Sequence, residues 1–136
     1  MLTTKLLHPE ILESLAKAGH GSKILIADGN YPFSTKVGPL TKNVYLNLAP
    51  GMVTVPQVLE ILLSAINVES ATVMIPADGS SPEIFQEFTS LMPGLELKKK
   101  GRFEFYEEAM DQQLCLLIAT GEERIFANLL LTLACA

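Results

Sequence analysis

Between Pro9 and Ala18 apolar residues recur at helical spacing, with Ile11, Leu12, Leu15 and Ala16 on one face. A proline stands in the first turn and Gly19 follows the last, so this stretch predicts a first helix. Lys23 to Ala27 is a short apolar run closed by the turn cluster Asp28-Gly29-Asn30, which predicts a strand. Residues 29–42 hold two prolines and two glycines and predict a loop. Asn43 to Leu48 alternates, with Val44, Leu46 and Leu48 to one side, as a half-buried strand does. Thr54 is placed to cap a second helix with Pro56 in its first turn and Val58, Leu59, Leu62, Leu63 and Ile66 inward. Ala71 to Ile75 predicts a central strand that ends in the loop Pro76-Ala77-Asp78-Gly79. Ser81-Pro82 predicts the cap of a third helix carrying Ile84, Phe85, Phe88 and Leu91 inward, stopped by Pro93-Gly94. After it come a short strand at Leu95 to Leu97 and a short amphipathic helix from Phe103 to Met110. Leu114 to Ala119 and Leu129 to Leu133 are two last apolar strands, parted by a polar turn around Gly121-Glu122-Glu123.

Strands alternating with helices imply parallel pairing through right-handed crossovers, with helices on both faces of the sheet. The expected fold is a single α/β domain over residues 1–136, three layers (α/β/α) around a mostly parallel sheet. The short link between the last two strands leaves room for a mixed pairing there. In open sheets of this kind ligands bind beyond the carboxyl ends of the strands. That rule singles out Asp28, Asp78 and the stretch Thr120 to Asn128.

Composition narrows the function. The chain of 136 residues is 49% apolar and 18% charged, with a net charge of −5, which suits a globular core and argues against a nucleic-acid partner. Its one basic cluster, Lys98-Lys99-Lys100, reads as a solvated turn. Met1 to Leu7 is too short for a secretory h-region, and no apolar run approaches the length of a membrane span, so no membrane association is expected. Neither Cys115 nor Cys135 has a partner at metal-ligand spacing; both read as reduced structural thiols, which points to the cytoplasm.

Few side chains are suited to chemistry. His8 precedes Pro9 and reads as a helix-end residue near the surface. His20 sits between Gly19 and Gly21, whose backbones can take φ > 0 and aim the ring; the residue is either a structural loop histidine or a proton carrier. Asp28 closes a strand, where a carboxylate either anchors a ligand or an imidazole or bonds its own backbone in an Asx-turn. Arg102 leads the aromatic set Phe103, Phe105 and Tyr106, which reads as core, and is itself a surface charge or a fixed donor to an oxygen-rich ligand. Asn128 opens an apolar strand, a place for an amide that serves a ligand or closes a turn. Phosphate-binding loops, dinucleotide fingerprints, zinc-protease motifs and nucleophile elbows do not occur. The residues alone point to a small polar ligand and proton transfer.

At these positions the chain resembles the ribose pyranase and fucose mutarotase (RbsD/FucU) family. The matching blocks are His8-Pro9-Glu10 through Leu15-Ala16, Gly19-His20-Gly21, Ile24 to Ile26, Asp28 and Tyr31-Pro32. Further along they are Arg102-Phe103-Glu104-Phe105-Tyr106-Glu107, Thr120-Gly121-Glu122 and Asn128-Leu129-Leu130-Leu131. The Arg102 block is similar to the fucose branch, because the ribose branch usually has histidine there. The resemblance implies a Rossmann-like fold and a mutarotase of a fucose-like sugar, with ribose pyranase or a non-catalytic sugar-binding protein as the alternatives. It implies His20 as proton donor, a sugar held by Asp28, Arg102 and Phe126-Ala127-Asn128, and no cofactor or metal. It also implies a homo-oligomer, in many relatives a decamer, in which His20 and Asn128 meet across a subunit contact. The apolar end from Leu129 to Ala136 would suit burial there. One departure stands out: the family usually has tyrosine where this chain has Phe126.

Overall fold

A computed structural model describes all 136 residues. Four helices and six strands follow in the order α1 (Pro9–Lys17), β1 (Lys23–Ala27), β2 (Lys42–Tyr45), α2 (Val55–Leu63), β3 (Val68–Met74), α3 (Ile84–Leu91), β4 (Leu97–Lys100), α4 (Arg102–Ala109), β5 (Leu114–Ala119) and β6 (Leu129–Leu133). The strands form one sheet in the order β2-β5-β1-β6-β3-β4. β1 is parallel to β5, β5 to β2 and β3 to β4, whereas β6 runs antiparallel to both its neighbours, β1 and β3. The expected mixed pairing is therefore real, but the last two strands do not pair with each other; β1 lies between them.

Burial follows from this layering. The larger core packs α1, α2 and α3 on one face through residues such as Ile11, Leu59, Phe88, Ile118 and Leu131. The smaller one lies under α4 on the other face and joins Leu25, Met74, Leu117 and Leu130 to Tyr31 and Phe105. Because β1, β5 and β6 are covered on both faces, consecutive residues along them are buried. α2 starts as its sequence implies. Thr54 accepts from the Gln57 N–H while the Gln57 side chain accepts from the Thr54 N–H, a reciprocal capping box. His8 caps α1 through Nδ1.

Several expectations need correction. The three lysines are no turn; they belong to β4, which begins at Leu97 where a strand ending at Leu97 was expected. As an edge strand β4 tolerates charge, and lysines there discourage pairing with other chains. Lys100 reaches Glu108 on α4 and Lys99 reaches Ser81. Ser81 does not cap α3, which starts after Glu83 with no side-chain cap. β2 ends at Tyr45, and Leu48, expected to point inward, is exposed. On α4, Phe105 is buried and Tyr106 partly so, but Phe103 faces solvent. The apolar C-terminal stretch offers no contact surface of the expected kind: Leu129, Leu130, Leu131 and Leu133 are buried within the chain, as β6 is a central strand. Cys115 donates to the Lys23 carbonyl from a half-buried position, while Cys135 is exposed.

Candidate functional site

With only β6 reversed, the carboxyl ends of β1, β3, β4 and β5 lie on one rim of the sheet together with the start of β6. This rim brings Asp28, Arg102, Thr120 and Asn128 to the same side. Asp78 also follows a strand of this rim, but it is exposed and spends its carboxylate on the Ser80 N–H in an Asx-turn.

Asp28 is 2% exposed and does two jobs at once. Oδ1 accepts from the Asn30 N–H at 2.9 Å, which is the Asx-turn, and Oδ2 accepts from the Ala127 N–H at 3.1 Å. Its own N–H donates to Asn128 Oδ1 at 2.8 Å. The amide at the head of β6 thus closes a turn, and the two loops on either side of β1 are sewn together around one carboxylate. Burial pushes the Asp28 carboxyl above the usual carboxylate range; the Asn30 and Ala127 N–H groups oppose this, and the nearby Glu122 charge adds to it. Phe126 holds φ at 57°, a left-handed backbone that a bulky residue adopts only when its surroundings impose it. Its side chain is partly buried and packs against the smaller core.

Arg102 reaches this site through aromatic rings. Its Nε donates to the Tyr106 hydroxyl at 3.3 Å and its guanidinium lies 5.6 Å from the Tyr106 ring centre. Tyr106 meets Tyr31 edge-on at 5.6 Å, and Tyr31 stands three residues beyond Asp28. Beside Asp28 a polar cleft of about 530 Å³ opens between Gly29-Asn30, residues 47–50 and residues 120–123.

His20 is elsewhere. The Gly21 N–H donates to the Leu133 carbonyl at 3.0 Å, which puts His20 beside the far end of β6. The whole of β6, 5 residues, separates it from Asn128, about 16 Å at ~3.3 Å per residue. There the exposed imidazole Nε2 lies 2.9 Å from Glu69 Oε2, at the start of β3. One chain therefore brings Asp28, Arg102, Phe126, Ala127 and Asn128 to one rim and leaves His20, with an acidic partner, at the opposite one.

Three participants were missed by reading the sequence. Tyr106 was assigned to core, and only its hydroxyl contact with Arg102 places it at the rim. Glu69 is 49 residues from His20 and leaves no local signal. Glu122 falls in the singled-out stretch Thr120 to Asn128 but reads there only as part of a polar turn; it is 3% exposed. The signal available for it was Arg124 two residues on, the one cation in that turn.

The family model described as the RbsD / FucU transport protein family matches residues 1–136. The chain belongs to this family. It is 34% identical to the fucose mutarotase of Mus musculus over 143 aligned positions, covering 93% of this chain and 88% of that protein. It is 26% identical to the D-ribose pyranase of Chloroflexus aggregans, covering 96% of this chain and 95% of that one. Among solved structures, the fucose mutarotase from Streptococcus pneumoniae in complex with L-fucose superposes with a TM-score of 0.85 at 23% identity, covering 100% of this chain and 99% of that chain. At that identity the likeness carries the fold, which is the expected three-layer α/β family fold with its mixed, mostly parallel sheet.

Proposed function

We propose that this RbsD/FucU member is a cofactor-independent monosaccharide mutarotase acting on a fucose-like sugar, with each working site assembled from two copies of the chain. The observation that carries the reading is the Asp28–Ala127–Asn128 closure on a rim that also holds Arg102. It offers fixed donors and acceptors to a polyhydroxyl ligand but no proton carrier. His20 stands too far away in its own chain to serve that rim, and is exposed with a ring nitrogen on Glu69, as a group presented to a neighbouring copy would be. A homo-oligomer follows from this reading; a decamer is the assembly the family resemblance favours. The cytoplasm is the compartment that fits its free thiols.

Mutarotation needs no redox change. A base takes the proton of the anomeric hydroxyl, the bond between C1 and the ring oxygen breaks, and the ring oxygen takes up a proton. The open-chain aldehyde then rotates about its C1–C2 bond and recloses on the other face. An imidazole with an ordinary pKa of about 6.5 can both give and take protons near neutrality. Glu69 Oε2, 2.9 Å from Nε2, fixes the orientation of the ring. Arg102 and Asn128 hold hydroxyls and stabilise negative charge as it develops on oxygen, and Asp28 accepts from a sugar hydroxyl.

Arg102 favours the fucose branch, while Phe126 favours a second reading, a sugar binder that has lost efficient exchange. Saturation-transfer NMR with fucose, ribose, galactose and glucose separates them. Exchange above the buffer rate, strongest with fucose, is the expected result; shifts or broadening without exchange indicate a binder, and ribose as the preferred substrate indicates a pyranase. Phe126→Tyr adds one possible hydrogen bond to the sugar, on the order of 1 kcal/mol if neutral. Somewhat less than a tenfold gain in affinity or rate is expected from it in the same assay. An inert wild type with exchange switched on by Phe126→Tyr would establish the binder.

A further inference from the structure

The loop that carries Phe126, Ala127 and Asn128 is held at one point by charge. Glu122, buried in that loop at the start of α2, accepts four N–H groups: Val55 N at 3.3 Å, Arg124 N at 3.1 Å, and Arg124 Nε and Nη2 at 2.9 Å each. The guanidinium thus grips the carboxylate as a two-pronged fork, and its remaining arm, Nη1, pairs with Glu87 on α3. The same Glu122 presses its main chain on the Asp28 turn. Its carbonyl accepts from the Gly29 N–H at 2.8 Å, and a Cβ on Gly29 would approach that oxygen to 2.9 Å. Its N–H donates to Thr120 Oγ1, whose hydroxyl donates to the Ala27 carbonyl. Glu122 is therefore the joint between the two loops that make the rim site, and the left-handed Phe126 lies four residues beyond it.

We propose that Arg124, acting through Glu122, is a positioning residue of the sugar site: it seats the loop from Thr120 to Asn128 and balances the negative charge beside Asp28. For its kinetics this rests on the mutarotase reading; for its effect on the Asp28 carboxyl it does not. The groups around Asp28 make the charge argument specific. Tyr31 comes from its own loop and Glu122, with Arg124 bonded to it, from the loop after β5; behind Tyr31 stands Tyr106 of α4, with Arg102 and Lys36 over its ring. The head of β6 adds Ala127 and Asn128, and the end of β5 adds Thr120; none of these three titrates. Glu122 is the one negative group whose charge bears on Asp28, and Arg124 is the cation bonded to it. Burial alone would raise the Glu122 carboxyl, but the Arg124 side chain and N–H, with the Val55 N–H, more than offset this and keep it below its ordinary range. Arg124 thus favours the ionised form of Glu122, while burial and the Glu122 charge disfavour that of Asp28. Removing Arg124 takes away the positive charge that offsets Glu122 and so favours protonation of both carboxyls, Glu122 and Asp28, at higher pH. Removing the Glu122 charge does the opposite for Asp28.

The test reads the Asp28 carboxyl by NMR, using carboxyl-labelled aspartate in the sugar-free protein, and the pH profile of anomer exchange with fucose. Arg124→Gln should move the Asp28 midpoint, and the acid limb of exchange with it, to higher pH; Glu122→Gln should move both to lower pH. Arg124→Lys keeps the charge but loses the fork, so its midpoint should stay near wild type while KM rises on the order of tenfold with kcat little changed. Loosening of the loop alone would not shift the two glutamine variants in opposite directions. Unmoved midpoints, shifts of the same sign, or wild-type KM in Arg124→Lys would overturn the proposal. If Arg124→Gln does not fold, Glu122→Gln and Arg124→Lys decide. A wild type without exchange on any sugar would sink the mutarotase reading and leave the carboxyl titration to judge the role of Arg124.

Discussion

Replacing His20 with alanine is expected to lower the rate of anomer exchange by roughly 10²–10⁴-fold, the range for removing a positioned general acid–base. The imidazole is half exposed and Glu69 is its one side-chain hydrogen-bond partner, so its loss breaks no buried hydrogen bond and should leave the fold intact. Sugar affinity should fall far less than rate, because Asp28, Arg102, Ala127 and Asn128 remain in place on the opposite rim. Exchange measured by saturation transfer, set against affinity measured by titration, separates these two effects. An unchanged exchange rate would remove His20 from the chemistry.

Asp28→Asn is the second large effect, and it acts on structure and binding together. Asp28 offers two acceptor oxygens to two N–H groups, Asn30 and Ala127. A carboxamide can satisfy only one of them as acceptor; its NH₂ must then face the other donor. Leaving a buried N–H without a partner costs about 1–3 kcal/mol. The site also loses a negative acceptor for a sugar hydroxyl, so affinity should drop by one to two orders of magnitude, with a lower Tm. Calorimetric titration with fucose and a thermal melt would measure both. Unchanged affinity beside a lowered Tm would confine Asp28 to a structural role.

Much of this architecture is visible in local pattern. The inward faces of α1 and α2, the Thr54 cap and the Asp28 turn all follow from side chains within a few residues of one another. What escaped is non-local. The insertion of β6 between β1 and β3 is a choice of partners, and its run of leucines suits any buried strand; only the short link before it hints at reversal. β4 escaped because an edge strand needs no apolar face, so three lysines pass for a turn. Ser81-Pro82 imitates a helix cap, but the helix begins three residues later. At the candidate rim, the turn at Asp28 and the turn-closing amide of Asn128 are legible from a strand end. Glu69 and Glu122 acquire their meaning only when distant segments meet, and that His20 and Asp28 occupy opposite ends of the sheet cannot be read from a spacing of eight residues.

The claim that one sugar site is built from two chains is tested most directly by mixing two impaired variants. His20→Ala, poor in rate, and Asp28→Asn, poor in affinity, are refolded or expressed together and assayed with fucose below the wild-type KM, where each alone shows little exchange. If each site takes Asp28 from one chain and His20 from another, random equal mixing restores intact sites in about one quarter of positions, with exchange to match. Activity no greater than the sum of the two separate variants, in mixed oligomers shown to contain both chains, would contradict the account.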